Sequence, residues 1–274
     1  MATCYRHPSR ETGVSCSNCG RPICPDCMTT TPVGMRCPEC AKQRTKVTRL
    51  RERSTTPVVT YTLIAINVVA FFAEQGQFTL FGTGIHGQVV AEGVLDRYDI
   101  ATEHEYWRLV SSAFLHVNIA HIGFNMYLLY VLGLMLEPAL GRLRFALIYF
   151  TALLAGSFGA LLATSEPSLG ASGAVFGLMG AAAVELRARR MSVMESGIGG
   201  LILINLVLSF TLAHVSVGAH IGGLIGGALA ALALRAADER RVPAALGPIG
   251  CLALCAAAVA GGIAVAHASG TGFA

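Results

Sequence analysis

Long apolar runs separated by short polar segments dominate the chain from residue 57 onward. Because a helix needs about 20 mainly apolar residues to cross a bilayer, runs of this length predict membrane helices. We expect seven of them, at 57–74, 114–136, 143–163, 170–186, 198–213, 218–235 and 246–267. The fourth and fifth are shorter than a full span, so we expect them to begin inside the membrane or to be shielded by neighbouring helices.

The N-terminal part of the chain has a different character. Residues 1–41 are rich in Cys, Pro and Arg and contain no long apolar run, whereas residues 42–56 are polar and basic. This change predicts a small separate domain at 1–41, a basic linker at 42–56, a six-helix membrane core at 57–235 and an additional membrane helix at 246–267. The predicted fold class is an all-α polytopic membrane protein with a small metal-stapled N-terminal domain.

The composition indicates a membrane protein rather than a soluble one. Hydrophobic residues make up 54% of the chain and charged residues 13%, whereas soluble domains average about 25% charged residues. The lipid bilayer is therefore the expected solvent. The net charge of +4 is spread in clusters between the apolar runs. A nucleic-acid-binding protein would gather its charge on one face, so we expect no nucleic-acid partner.

The basic clusters predict the orientation in the membrane. They lie at 42–53, 142–144, 187–190 and 235–241. If all seven helices cross the membrane, the four basic clusters lie on the same side of it. The positive-inside rule makes that side cytoplasmic. We expect a multi-pass protein of the cell membrane, with a cytoplasmic N-terminus and an extracytoplasmic C-terminus. The long loop 75–113 then lies outside, and its apolar residues predict partial burial at the membrane surface.

Seven of the nine cysteines lie in the first 40 residues, and no apolar leader precedes them. Reduced, cytosolic thiols that are free to bind metal are therefore expected. The cysteines and one histidine form four pairs, each separated by two residues, and eight ligands suit two structural zinc ions. Such staples allow a short segment without an apolar core to fold. The pairs are Cys4 and His7, Cys16 and Cys19, Cys24 and Cys27, and Cys37 and Cys40.

The spacing of these pairs resembles the B-box class of zinc fingers, in which alternate pairs share a metal. Sequential pairing is an alternative that the spacing leaves open, and disulfides are the alternative to metal. Because all eight positions are used, the zinc is expected to be structural and the domain to bind a cytosolic protein partner. The resemblance implies one ion held by Cys4, His7, Cys24 and Cys27, and another held by Cys16, Cys19, Cys37 and Cys40.

Polar side chains inside membrane helices are costly, so each one is a candidate for function. With the N-terminus inside, the second, fourth and sixth helices all begin on the outer side and gather their polar residues at similar depth. Ser172 opens the fourth helix between Gly170 and Gly173. The free backbone N–H groups of a helix start can stabilise an oxyanion beside such a serine. An ordinary N-cap serine is the alternative interpretation.

His220 lies in the first turn of the sixth helix, ahead of Gly223 and Gly227. Glycines with this spacing favour close helix packing, which would bring the imidazole to Ser172. A neutral imidazole could act as general base, while an incidental histidine on a packing stripe is the alternative. No Asp lies within the predicted membrane segments. The residues therefore permit a Ser-His dyad without a third acidic member.

His121 and Asn125 are four residues apart in the predicted second helix and share one face. Both can donate hydrogen bonds to a developing oxyanion. His116 is expected to point elsewhere and to order the entry loop. A metal site built from His116, His121 and His220 is the competing idea, but it lacks a carboxylate and the compact spacing of zinc peptidases.

Four motifs follow one another in residues 57–235: Trp107-Arg108, His116-x4-His121-x3-Asn125, Gly170-x-Ser172-Gly173 and Ala219-His220-x2-Gly223-x3-Gly227. In these motifs and their order, the segment resembles the rhomboid family of intramembrane serine proteases. The resemblance implies Ser172 as nucleophile, His220 as base, and His121, Asn125 and the Ser172 backbone N–H as the oxyanion hole. Phe176 occupies a position where many relatives carry a Tyr that stacks on the histidine, and the aromatic ring is retained.

The expected activity is hydrolysis of a peptide bond in a single-span membrane protein whose helix unwinds near the outer face. A helical peptide bond is shielded by its own hydrogen bonds and must unwind before attack. No cofactor is expected for catalysis. The alternatives are an inactive rhomboid-like protein that binds membrane clients and a transporter. A transporter would be expected to carry acidic residues in mid-membrane, which the sequence lacks.

Overall fold

The computed structural model describes residues 2–42, 56–74, 80–81, 87–211, 215–239 and 241–270. The chain divides into two compact units at residues 1–52 and 53–274. Most of the linker predicted at 42–56 lies outside the described residues, as do two segments of the loop predicted at 75–113, which are 75–79 and 82–86.

The N-terminal unit is built from very short elements. Strands β1 (Ala2–Thr3) and β2 (Glu11–Thr12) pair antiparallel, as do β3 (Thr29–Thr31) and β4 (Gly34–Arg36), and helix α1 spans Pro38–Lys42. Its interior consists of cysteine side chains around one fully buried apolar residue, Ile23. So small a core cannot stabilise a domain by burial alone, which is why cross-links through the cysteines are expected.

Each of the seven membrane helices predicted from the apolar runs is present as a helix. They are α2 (Val58–Ala73), α6 (Ile119–Leu140), α7 (Arg142–Ala163), α8 (Ser172–Ala188), α9 (Ile198–Thr211), α10 (Val217–Asp238) and α11 (Leu246–Gly270). Within the described residues, α6, α7, α10 and α11 are long and apolar enough to cross a membrane, while α2 and α9 are shorter apolar helices. The fold is therefore an all-α polytopic membrane fold.

The described part of the segment between α2 and α6 contains three short α-helices, which the sequence pattern did not identify. They are α3 (Gln88–Gly93), α4 (Arg97–Thr102) and α5 (Arg108–Ser111). The Arg108 side chain is almost completely buried and donates to the carbonyls of Ala91 (2.8 Å) and Val94 (2.9 Å). It also pairs with Asp99 and Glu105, so one guanidinium joins the three short helices.

Trp107 lies beside this hub, and its indole N–H donates to the Glu92 carbonyl at 3.3 Å. Leu95 forms an isolated antiparallel bridge with Ser168, which joins the segment to the turn in front of α8. The roles of Trp107 and Arg108 in this structure are thus to hold the chain that precedes α6.

Helix α6 begins five residues later than the apolar run predicts. Residues Ser112–Phe114 form a 3-10 turn, and the side chain of Asn118 accepts a hydrogen bond from the backbone N–H of His121. An Asn cap of this kind defines a helix start that hydropathy cannot see. His116 consequently lies before the helix rather than within it.

Helix α8 lies at the centre of the membrane unit. All its residues from Gly173 to Ala182 are buried, and it packs against α6, α7 and α10. Its contact with α10 is backbone to backbone, because a Cβ built on Gly223 would lie 2.0 Å from the Gly173 carbonyl oxygen. A Cβ on Gly227 would lie 2.1 Å from the carbonyl oxygen of Gly177. The predicted small-residue stripe is therefore the α8–α10 interface.

Helix α2 is attached to α6 through a buried carboxylate. Glu137 accepts hydrogen bonds from the backbone N–H groups of Val59 (2.9 Å) and Thr60 (2.8 Å) and from the Thr60 hydroxyl (2.7 Å). The first N–H groups of a helix have no partner within the helix, and a negative charge at that end is favourable. Glu137 thus supplies the cap that Pro57, at the N-cap position, does not.

Candidate active site and metal-ligand clusters

Ser172 is the first residue of α8 and follows a turn that only glycine fits. Gly170 has a φ of +124°, and a Cβ there would lie 2.8 Å from Cε1 of His121. The first bond of the helix ladder runs from Val175 to Ala171. The N–H groups ahead of Val175 in this first turn therefore have no partner within the helix.

His220 lies at the start of α10, whose first turn is capped by the Ser216 side chain. Its Nε2 is 2.7 Å from the Ser172 hydroxyl oxygen, a hydrogen-bond distance. The Phe176 ring stacks on the imidazole, with centroids 4.1 Å apart and planes 16° apart. The two residues singled out from the sequence are thus in contact, and the ring carried one helical turn after Ser172 covers one face of the imidazole.

Ser209 is a residue of this site that the sequence pattern did not single out. It lies on α9, and its hydroxyl oxygen is 2.5 Å from Nδ1 of His220. The side chain is 3% exposed. Serines are common in membrane helices, and the apolar run of α9 does not show which face meets α10, so the sequence carried no signal for this contact.

His121 lies close to the serine on the α6 side. The position of a Cβ on Gly170 would be 2.9 Å from Nε2 of His121 and 3.9 Å from the Ser172 hydroxyl oxygen. The imidazole and the serine hydroxyl therefore flank the same glycine. This close approach is possible because Gly170 has no side chain. Gly170 is therefore needed both for the positive φ of the turn and for the space that His121 occupies.

Asn125 is buried one turn after His121 on α6, and its amide nitrogen donates to the His121 carbonyl at 3.1 Å. A carboxamide has two N–H donors, so one remains beyond this bond. Asn125 thus lies on the face of α6 that carries His121. One of the two N–H donors of its amide is used by the bond to the His121 carbonyl.

The side chain of His116 points toward His121, whereas the sequence pattern predicted that it would point elsewhere. Its ring contacts that of His121 edge to face, with centroids 5.1 Å apart. The reason is that α6 begins only at Ile119, so the helical spacing does not apply to His116. Its backbone N–H donates to the buried carboxylate of Glu74 at 3.0 Å, which ties the entry to α6 to the end of α2.

The imidazoles at this site do not form a metal-ligand cluster. Among the described residues, the groups of His, Cys, Asp and Glu that converge closely enough to hold an ion are both in the N-terminal unit. The metal site considered from His116, His121 and His220 is therefore not supported.

The N-terminal unit contains two groups of four convergent ligands. Within each group, the ligand atoms all lie within 4.8 Å of one another. Tetrahedral zinc with Zn–S bonds of about 2.3 Å places its sulfurs about 3.8 Å apart, so the residues present fit such an ion. The groups are Cys4, His7, Cys24 and Cys27, and Cys16, Cys19, Cys37 and Cys40. Alternate pairs therefore come together, and the sequential pairing does not occur.

Individual contacts in the two groups are longer than a disulfide bond and are compatible with ligands that share an ion. Nδ1 of His7 is 3.3 Å from Cys24 Sγ and 3.4 Å from Cys27 Sγ. The Cys37 backbone N–H donates to Cys16 Sγ at 3.3 Å and lowers the pKa of the Cys16 thiol, whereas burial and neighbouring thiols raise the pKa of Cys37 in the same group. A thiolate is the form that binds metal. All the described cysteines are free.

Comparison with known families and proteins gives a consistent result for the membrane unit. Residues 103–237 match the rhomboid domain. The chain is 36% identical over 181 residues to Rhomboid protease GluP of Bacillus subtilis, and the aligned region covers 65% of this chain and 35% of that protein. It is 29% identical over 193 residues to Putative rhomboid protease YdcA of the same organism, covering 68% of this chain and 92% of that protein.

A third relative carries a different description. The chain is 34% identical over 133 residues to Inactive RHOMBOID-like protein 8 of Arabidopsis thaliana, covering 46% of this chain and 37% of that protein. The chain thus spans only about a third of GluP and of this plant relative. Together with the rhomboid domain, these matches support the rhomboid family for the membrane unit.

Proposed function

We propose, from the rhomboid domain at 103–237, that this chain is an intramembrane serine endopeptidase that hydrolyses peptide bonds in or near transmembrane segments of membrane proteins. One observation carries the proposal: the Ser172 hydroxyl oxygen is 2.7 Å from Nε2 of His220. The site lies at the start of a helix buried within the membrane unit. A hydroxyl bonded to an imidazole is the arrangement in which a serine becomes a nucleophile.

In the proposed reaction the Ser172 hydroxyl donates to Nε2 of His220 and transfers its proton as the oxygen attacks the substrate carbonyl. The imidazolium then protonates the leaving amine, and water hydrolyses the acyl-enzyme with His220 again as base. General base catalysis of this kind contributes on the order of 10²–10⁴ in rate. Ser172 and His220 are the catalytic residues of this scheme.

We assign the stabilisation of the oxyanion in the tetrahedral intermediate to hydrogen-bond donors around Ser172. These are the N–H groups at the start of α8, the His121 imidazole beside Gly170, and the second N–H of the Asn125 amide. Removing one such donor typically costs on the order of 10²–10³ in turnover. Gly170 is required because the backbone turns at positive φ and packs directly on His121.

The proposed substrates are single-span membrane proteins whose helix unwinds near the outer face of the bilayer. Hydrolysis is favoured over the client-binding alternative, represented among the relatives by a protein described as inactive. The reason is that serine and histidine are both present and bonded. A protein that only binds clients has no need for that hydrogen bond.

The proposed orientation places the N-terminus in the cytoplasm and the active site toward the outside of the cell membrane. Arg187, Arg190, Arg235 and Arg241 line one cavity of about 750 Å³ between α8, α9 and α10. Arg187 and Arg190 lie at the opposite end of α8 from Ser172, and 17 residues of helix extend about 26 Å. This basic end suits the cytoplasmic side.

We assign the two cysteine groups of the N-terminal unit to structural zinc ions. Each group offers four ligands, so neither leaves an open position for catalysis. Bound zinc would supply the cross-links that the small core lacks. The domain is proposed to bind a cytosolic protein partner.

The test of the proposed activity is labelling with a fluorophosphonate probe, which reacts with activated serines. Wild-type full-length chain in detergent should be labelled, whereas Ser172→Ala and His220→Ala, checked for folding by thermal denaturation, should not be. Equal labelling of the wild type and Ser172→Ala would reject the proposal. Ser192→Ala, which removes an exposed serine of the turn between α8 and α9, is the matched control and should label like the wild type.

A further inference from the structure

The proposed reaction uses Nε2 of His220 but gives no role to the contact between Nδ1 of the same ring and Ser209. The Ser209 hydroxyl oxygen lies 2.5 Å from Nδ1 of His220 and 2.6 Å from the carbonyl oxygen of Asn205, one turn earlier on α9. The side chain is 3% exposed, so water does not compete for these contacts. His220 is thus held between two hydroxyls, one from α8 and one from α9.

The Asn205 contact determines where the protons lie. A carbonyl oxygen cannot donate, so the bond between Ser209 and Asn205 must use the single proton of the Ser209 hydroxyl. The hydroxyl has no second proton to give to His220. The close approach to Nδ1 is therefore a hydrogen bond only if the ring nitrogen carries the proton and donates it.

We infer that Ser209 is a positioning residue that holds His220 in the tautomer protonated at Nδ1. In a neutral imidazole with a proton on Nδ1, Nε2 has a free lone pair. Nε2 is the atom that faces the Ser172 hydroxyl. Ser209 therefore selects the ring form that can accept the proton of Ser172, and it orients the ring through a hydrogen bond that persists when the ring becomes an imidazolium.

The pattern of exposure along α9 supports a dedicated contact. Asn205 and Ser209 are buried on one face, whereas Leu203, Ile204, Val207 and Phe210 are exposed on the others. The Asn205 side chain is engaged within α9, where its amide donates to the Leu201 carbonyl at 2.8 Å. A short helix that turns its polar residues inward and its apolar residues outward has the arrangement expected where polar groups serve a site.

The ring needs this help because its remaining contacts do not select a tautomer. Phe176 stacks on the face of the imidazole and forms no hydrogen bond to either nitrogen. Among the described residues, no carboxylate is bonded to His220, so the orienting group of this site is a hydroxyl. A hydroxyl can accept from Nδ1–H without placing a formal charge inside the membrane unit.

The first test is spectroscopic and does not depend on activity. Full-length chain labelled with ¹⁵N-histidine is compared with His220→Gln to assign the resonances of His220. We expect Nδ1 protonated and Nε2 unprotonated in the wild type, a mixture of tautomers in Ser209→Ala, and the wild-type pattern in Ser209→Thr, because threonine keeps a hydroxyl that can bond the same carbonyl. An Nε2-protonated ring in the wild type would overturn the inference.

The kinetic consequence rests on the proposed function. We expect the rate of fluorophosphonate labelling to fall about 10- to 100-fold in Ser209→Ala, within the range of general base catalysis, and to recover in Ser209→Thr. Thr211→Ala is the matched control, since it removes a hydroxyl that is also bonded to carbonyls of α9 but is exposed. It should label at the wild-type rate.

The outcomes separate the inference from the proposed function. Wild-type rate and wild-type tautomer in Ser209→Ala would refute the role of Ser209 even if Ser172 is labelled. An unlabelled wild type with His220 protonated at Nδ1 would refute the protease and leave the tautomer assignment standing. Ser209→Cys, of similar size but with a poor acceptor, provides a second variant if Ser209→Ala unfolds, and it should show the same mixture of tautomers.

Discussion

Arg108 illustrates what a single buried charge does in this fold. Its guanidinium has carbonyl partners on α3 and the following turn and carboxylate partners on α4 and before α5. A five-donor planar cation is suited to joining several short elements that have little apolar surface of their own. The three short helices that precede α6 are therefore joined through this one side chain.

We expect Arg108→Gln to destabilise the membrane unit by about 3–5 kcal/mol, because the change leaves Asp99 and Glu105 without their buried cation. Equilibrium unfolding in detergent, followed by circular dichroism, measures the effect. Arg189→Gln is the matched control. The Arg189 guanidinium is exposed, and its pair with Glu185, at 3.8 Å, is worth about 0–1 kcal/mol. Equal stability of the two variants would show that the Arg108 network does not contribute to the fold.

At the scale of elements, the contact between α8 and α10 brings the serine to the histidine. Ser172 and His220 lie at the starts of these helices, and the glycines that follow allow the two backbones to touch. Packing without intervening side chains gives short, fixed distances between groups on the two helices. A small change in this interface therefore moves both members of the dyad.

Gly223→Ala tests this interface. Its new Cβ would lie 2.0 Å from the Gly173 carbonyl oxygen, so the helices must separate, and overpacking of this kind costs about 1–3 kcal/mol. We expect a lower midpoint of thermal unfolding and a large loss of fluorophosphonate labelling, measured on the same sample.

Gly200→Ala is the control for this experiment. Gly200 is also helical, but a Cβ there meets nothing within 4 Å, and alanine is favoured over glycine in a helix by about 1 kcal/mol. It should be as stable as the wild type or more so. A Gly223→Ala chain that retains stability and labelling would contradict the role given to the α8–α10 contact.

The whole molecule combines two units that fold by different means. The membrane unit buries apolar helices around α8, whereas the N-terminal unit buries mainly cysteines around Ile23. Metal ligation is the natural source of stability for the second, because it couples ligand binding directly to folding.

The metal content of the full-length chain tests both the zinc assignment and the pairing. We expect two zinc ions per chain by elemental analysis of the purified protein. Cys4→Ser combined with Cys27→Ser should remove one ion, because both residues belong to one group. Sequential pairing would place them in different groups and remove both ions. Cys255→Ser, in α11 and outside both groups, is the control and should retain two. A wild type without bound metal would reject the assignment.

Hydropathy along the chain was sufficient to predict that each of the seven apolar runs forms a helix, and four of these helices are long and apolar enough to cross a membrane. The reason is that burial in lipid demands long apolar runs regardless of how the helices pack. Hydropathy placed the start of α6 too early, since the Asn118 cap is a local hydrogen bond rather than an apolar signal. The short helices α3 to α5 were missed for a related reason. They are held by the buried Arg108 side chain and its hydrogen-bond and ion-pair partners, which a hydropathy pattern does not reveal.

The sequence by itself determined the chemistry that this protein can carry, since motif spacing and helix order place Ser172, His220 and His121 at similar depth and supply eight ligands for metal. Only the tertiary structure decided which partners meet. It brought alternate cysteine pairs together, turned Ser209 toward His220 and set Glu137 over the start of α2. The physical reason is that the face a helix or turn presents to its neighbours depends on how whole elements pack, and no local pattern along the chain records that.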